Sequence, residues 1–108
     1  MNAENTQRIK GMLGFARRAG KTVIGTDLIC KELSRGRVKL VVISSSASDG
    51  TKSRLVHKCE WYAARYLETA IDKEELGTVL GKDTEVAAVA LTDDAFAEEI
   101  IKAKGSQN

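Results

Sequence analysis

The sequence predicts an α/β protein, a three-layer α/β/α sandwich with a small mixed sheet. Two observations predict it. Helical-period apolar stretches alternate along the chain with short β-branched runs, and such alternation packs as a sheet between layers of helices. The run Lys39-Leu40-Val41-Val42-Ile43 is also continuously apolar, the pattern of a central strand covered on both faces. There is no Pro, no low-complexity tract and no internal repeat, so Gly, Ser and Asp mark the joints.

Residues 4–18 put Ile9, Leu13 and Ala16 on one helical face beside Met12, and Ala19-Gly20 ends that first helix. A basic turn leads into the second, residues 26–35, which carries Ile29, Cys30 and Leu33 at helical spacing. It stops at Gly36, a residue suited to a left-handed cap. The run from Lys39 to Ile43 follows as a mid-sheet strand. After the polar loop Ser44 to Gly50, the residues Leu55, Cys59, Tyr62 and Tyr66 recur at helical intervals and predict a third helix, with a short strand near Arg65 to Glu68. Asp72 and Glu75 resemble a capping box for a helix that ends at Gly81. Val86 to Leu91 reads as another strand, and Thr92 or Asp93 as the cap of a last helix that buries Phe96 and Ile100. Strand order is not legible in these patterns.

At 108 residues, 43% hydrophobic and 30% charged, the chain has the size and mixture of one soluble domain. Residues 1–108 are therefore read as a single domain, with fraying expected at about 1–4 and 104–108. No apolar stretch approaches the roughly 18 residues of a membrane span. The start MNAENTQRIKG also lacks the apolar core of a secretion signal, so a cytoplasmic location and no membrane partner are expected. Cys30 and Cys59 have neither metal-ligand nor redox spacing and read as reduced structural thiols. A metal site of Cys30, Cys59 and His57 would lack a fourth ligand, so neither metal nor cofactor is expected.

Charge is unevenly distributed along the chain. Residues 1–58 hold 12 Lys and Arg against 4 Asp and Glu, and residues 59–108 hold 5 against 11, so halves of +8 and −6 compose a net +2. Such a separation fits one basic face that attracts phosphates, or simply helices with unevenly charged solvated surfaces.

The most informative stretch is GKTVIGTDLICKELSRGRVKLVVIS, Gly20 to Ser44. A Gly opens the second helix, a Lys follows six residues on, and an Arg-Gly at the helix end precedes a Lys-Leu-Val-Val-Ile strand. These are Gly25, Lys31, Arg35-Gly36 and Lys39 to Ile43, followed by Cys59, Leu76-Gly77, Gly81 and Val86 to Ala90 in order. The ordered set resembles the ribosomal L-seven-Ae and L-thirty-e family. LGFARRAGK, Leu13 to Lys21, resembles its small bacterial YlxQ-type members in particular.

The resemblance implies an L-thirty-e-like fold that binds RNA kink-turns without catalysis, placing the N-terminus of helix two against sheared G·A pairs. It also implies a monomer whose partner is structured RNA rather than DNA, ribosomal RNA and the ribosome included. Elementary chemistry agrees. A helix N-terminus presents unpaired N–H groups, Gly25 permits close backbone approach, and Lys21, Lys31 and Arg35 supply charge along a duplex backbone. Without the family, Gly25 reads equally as an ordinary turn, and the cations as a solvated face.

Where the archaeal pattern has G-T-N-E-x-x-K, this chain has Gly25-Thr26-Asp27-Leu28-Ile29-Cys30-Lys31. Asp27 still accepts from guanine N–H groups but loses the amide donor, and the Leu28 side chain makes no hydrogen bond, which implies weaker or differently specified binding. In the family's second RNA-facing loop, Gly81 is followed by Lys82-Asp83-Thr84-Glu85. The acid is kept as Asp83, Lys82 suits a phosphate, and Thr84 and Glu85 also read as an exposed turn.

The loop Ser44 to Arg54 lacks the Gly-Lys-Ser/Thr end of a phosphate-binding loop. Ser46 stands where the family has an acid, while Ser48 and Thr51-Lys52 match the bacterial subgroup and are expected near the RNA. The alternative for this loop is a Ser or Asp cap on helix three. Tyr62 and Tyr66 fit the buried stripe of that helix, whereas Trp61 lies off it and fits a rim, a partner contact or base stacking. No paired acid, triad or metal cluster emerges, so an enzyme is not expected. The rival class is a protein-interaction module on the same fold, with Asp27 and Leu28 marking a surface released from RNA.

Overall fold

A computed structural model of the protein describes residues 5–105. Helix α1, Thr6–Arg18, starts where the Asn5 side chain accepts the Arg8 N–H at 3.1 Å, and it buries Ile9, Leu13 and Ala16. Strand β1, Thr22–Ile24, pairs at the sheet edge. The sequence reading has only a basic turn there, because three half-buried residues at an edge leave no apolar run to recognise. Gly25, at φ +107°, then turns the chain into α2, Thr26–Ser34, which Gly36 terminates at φ +71°.

Strand β2, Leu40–Ile43, is wholly buried between two neighbours, as its continuous apolar run predicts. Helix α3, Asp49–Trp61, is capped by Ser48, and Tyr62 closes it. Tyr66 is a correction: it lies in β3, Tyr66–Glu68, because the chain leaves the helix through Ala63 at φ +56°. A helical spacing carried on across that turn was coincidental. Tyr62 itself is 39% exposed and belongs to no buried stripe.

Helix α4, Lys73–Val79, has the expected reciprocal box between Asp72 and Glu75. Strand β4, Ala88–Leu91, follows, and Asp93 accepts the Phe96 N–H at 3.1 Å to cap α5, Asp94–Gly105. Ile100 is buried there as expected, whereas Phe96 is only half-buried and Ala97 and Ala103 take the inner face. Lys104 and Gly105 are helical rather than frayed; the expectations for residues 1–4 and 106–108 lie outside the described residues.

The sheet order is β1-β4-β2-β3, with β4 antiparallel to both neighbours and β2 parallel to β3. Alternation within the two central strands divides the core. Leu40, Val42, Val89 and Leu91 meet Ile9, Leu13, Leu76 and Ile100 of α1, α4 and α5. Val41, Ile43, Ala88 and Ala90 meet Ile29, Leu33, Leu55 and Cys59 of α2 and α3. Each large aliphatic side chain buried this way contributes about 1.5–3 kcal/mol, so both layers are firmly held and the result is the three-layer α/β/α sandwich.

Strand direction gives the sheet two rims. One gathers Gly25, Ser44 to Ser48, Thr69 to Asp72 and Leu80 to Ala87; the other gathers Arg17 to Lys21, Arg35 to Lys39, Tyr62 to Arg65 and Thr92 to Asp94.

Candidate functional site

A groove of about 280 Å³ opens at the first rim, lined by Ile24, Gly25, Lys82, Thr84, Glu85, Val86 and Ala87. Antiparallel pairing of Ile24 with Val89 sets the start of α2 beside the segment that enters β4. The far wall is fixed by α4. Lys82 N–H donates to the Gly77 carbonyl at 2.8 Å and Val86 N–H to the Lys73 carbonyl at 3.1 Å, while the Lys73 ammonium lies 3.6 Å from Glu85. At Gly77 the contact is so close that a Cβ would stand 2.2 Å from the Thr84 carbonyl oxygen. The loop therefore rests on bare helix backbone, which only glycine offers.

The near wall is the N-terminus of α2. Gly25 supplies no side-chain cap, and the first intrahelical bond runs from Ile29 N–H to the Gly25 carbonyl at 2.9 Å. The amides of Thr26, Asp27 and Leu28 precede that bond and have no acceptor within the helix, so this end attracts acceptors and negative charge. The Asp27 carboxylate, 92% exposed, accepts from the Arg54 guanidinium at 2.7 Å. That hydrogen bond raises the Arg54 pKa above its usual value, and it offsets the acid that would otherwise repel phosphate. Leu28, the next residue in the first turn of α2, is 48% exposed.

The other residues expected at the site divide into three groups. Thr26 is half-buried in the first turn of α2, Asp83 is exposed next to Lys82 and Thr84, and Lys31 is exposed one turn further along α2. The Ser46 hydroxyl accepts the Lys73 N–H at 2.9 Å, and Ser48 caps α3 by accepting the Thr51 N–H at 3.1 Å while its hydroxyl meets that of Thr51 at 3.0 Å. Lys52 donates to the Ser45 carbonyl at 3.2 Å and lies 3.9 Å from Glu68. The loop from Ser44 to Lys52 is thus bonded largely to itself and its neighbours. Lys21 and Arg35 stand at the opposite rim, the first before β1 and the second after α2, where Arg35 pairs with Glu32 at 3.3 Å.

Sequence reading does not single out Arg54, Ile24, Val86 or Ala87 as site residues. Arg54 is 27 positions from its partner Asp27, and nothing in that spacing joins them. Gly77 did carry a signal: a glycine inside a capped helix weakens that helix and so points to a packing reason for its presence.

A second recess, about 300 Å³ between α1 and α4, is lined by Lys10, Glu74, Glu75, Thr78 and Val79. One of its two carboxylates is already engaged. Glu75 accepts from Lys10 at 2.9 Å and from the Asp72 N–H at 3.1 Å, and these bonds hold it below the usual carboxylate range. Burial pushes the Cys59 thiol up to about 11, which keeps it protonated at neutral pH. Among the described residues no three His, Cys, Asp or Glu converge as a metal site, and no helix is long and apolar enough to cross a membrane.

A mixed four-stranded sheet between two helical layers, with a glycine-led helix facing a loop clipped to α4, is the architecture of a known class. The chain belongs to the ribosomal protein L7Ae/L30e/S12e/Gadd45 family, whose pattern matches residues 7–101. Within that family it is similar to the RNA-binding protein YlxQ of Bacillus subtilis (strain 168), 39% identical over 90 residues that span 83% of this chain and 88% of that one. The Enterococcus faecium RNA-binding protein YlxQ is 28% identical over 99 residues, 92% of this chain and 93% of its own length. Among solved structures, a protein with unknown function from Bacillus halodurans C superposes with a TM-score of 0.83 at 28% identity, covering 89% of this chain and 95% of that chain.

Proposed function

We propose that residues 1–108 act as a single, monomeric, non-enzymatic domain that binds structured RNA in the cytoplasm, with a kink-turn or similarly bent element in the groove. The observation that carries this reading is the groove itself, which joins an uncapped α2 N-terminus to a rigid opposing loop. Membership of a family with RNA-binding relatives supports it.

In this reading the amides of Thr26 to Leu28 meet RNA acceptors across Gly25, and Asp27, held by Arg54, accepts guanine N–H groups. Lys82 and Lys31 meet phosphates, Leu28, Ile24 and Val86 pack on a base displaced at the bend, and Asp83 and Thr84 form the rim. Ser46, Ser48, Thr51 and Lys52 shape the adjoining loop, since their polar atoms already have partners. Association with the ribosome is part of the same proposal.

The test is a titration against a kink-turned RNA and a straight duplex of equal length. Tighter binding of the bent RNA supports the reading; equal affinity, or none for either, removes it. The half-exposed Leu28 favours one rival, a protein-docking surface at the same place. Leu28→Ala disrupting a protein complex while RNA affinity stays intact would favour that rival.

A further inference from the structure

Folding leaves several cations without carboxylates among the described residues; Lys31 on α2 and Lys82 at the groove are two of them, and the others collect toward the rim opposite the groove. Arg17, Arg18, Lys21, Lys39 and, at the end of α3, Lys58 have no ion-pair partner among the described residues. Backbone bonds set two of them in a row. Thr92 N–H donates to the Lys21 carbonyl at 3.0 Å and Lys39 N–H to the Leu91 carbonyl at 2.8 Å, so β4 separates Lys21 from Lys39 by two strand spacings. That is roughly 10 Å.

The same rim carries the most exposed aromatic side chain. Carried back two residues, the register of Val41 with Tyr66 sets Lys39 level with Ala64, in the turn where α3 ends. Trp61, 74% exposed, and Tyr62, 39% exposed, stand at that helix end. Most acids nearby are engaged: Glu98 by Arg65, Glu32 by Arg35 and Arg37, and Asp93 by the Phe96 N–H, which leaves Asp94 and Glu60.

Unpaired cations beside exposed rings are what a single-stranded nucleic acid requires. Cations track its phosphates while bases stack on the rings with little sequence preference. The geometry points to this rim as a second RNA contact, one that holds an unpaired strand and is separate from the groove. The contact goes beyond the groove reading and stands or falls without it.

Trp61 is the only tryptophan, so its fluorescence reports the contact directly. Short oligouridylate should quench it. By anisotropy of a labelled strand, Trp61→Ala should weaken oligouridylate binding roughly tenfold. Arg18→Glu, Lys21→Glu and Lys39→Glu together should weaken it at least as much and lower the salt slope by about 2, while the preference for bent over straight RNA persists. The corresponding Gln substitutions should act in the same direction and guard against misfolding of the reversal variant. The inference is overturned by absent quenching, by charge variants that leave affinity and salt slope unchanged, or by a bent RNA without a single-stranded tail displacing oligouridylate completely.

Discussion

The two rims of the sheet divide shape from charge. At the groove rim the connecting segments Gly25, Ser44 to Ser48, Thr69 to Asp72 and Leu80 to Ala87 hold one cation and three acids. Arg17 to Lys21, Arg35 to Lys39, Tyr62 to Arg65 and Thr92 to Asp94 at the other rim hold seven cations and two acids. Yet the recess that joins the start of α2 to the loop before β4 is on the acidic side. A site that recognises a particular bend works through fixed donors and a fixed outline, which phosphate attraction cannot replace; a site that tracks any strand needs charge and little outline. On the proposed reading, net charge at a rim is therefore a poor guide to where specificity resides.

The variant expected to separate the rims most strongly is Gly77→Ala. Its new Cβ meets a backbone oxygen rather than a yielding side chain. It should cost about 1–3 kcal/mol in urea unfolding and abolish the preference for bent RNA while oligouridylate binding survives. Loss of both activities in a folded variant would mean that the rims are not independent.

Arg54→Ala is subtler, because its partner pair is solvent-exposed and its loss should leave the urea midpoint almost unchanged. Bent-RNA affinity should nevertheless fall several-fold, since Asp27 is left facing phosphate, and Asp27→Asn should remove most of that loss in a double-mutant cycle. Additive effects would show that the pair does not matter to binding. A smaller effect, about threefold on bent RNA and none on oligouridylate, is expected for Leu28→Ala, measured by competition between the two RNAs.

Cys59 lies in the core layer under α2 and α3, in the last turn of α3. Its folded pKa is raised by burial to about 11, above the roughly 8.5 of an exposed thiol. The unfolded state therefore loses its proton first. Stability should be fully present below about 8.5 and decline as pH rises through about 11, in a denaturation series that Cys59→Ala flattens.

Much of the fold was legible because its signals are local. The Asp72 and Glu75 box, Gly36 and Gly81 as terminators, and the continuous apolar run of β2 each act within a few residues. β1 was not legible, since pairing with β4 rather than composition makes Thr22 to Ile24 a strand. The uneven charge of the two halves suggested one basic face. Part of it is instead consumed between the halves, as Arg8 meets Glu99, Lys10 meets Glu75 and Lys52 meets Glu68. Of the candidate site, Gly25 and the loop after Gly81 could be read from motif order. Their meeting across a groove, and the hold of Arg54 on Asp27, depend on contacts between distant residues and on strand order.

The most direct measurement is an amide chemical-shift map during titration with a kink-turned RNA that carries no single-stranded tail. The groove reading predicts the largest shifts at Gly25 to Leu28 and Lys82 to Ala87, with Lys21, Lys39 and Trp61 little changed. Shifts concentrated at the opposite rim, with Gly25 to Leu28 unmoved, would contradict it.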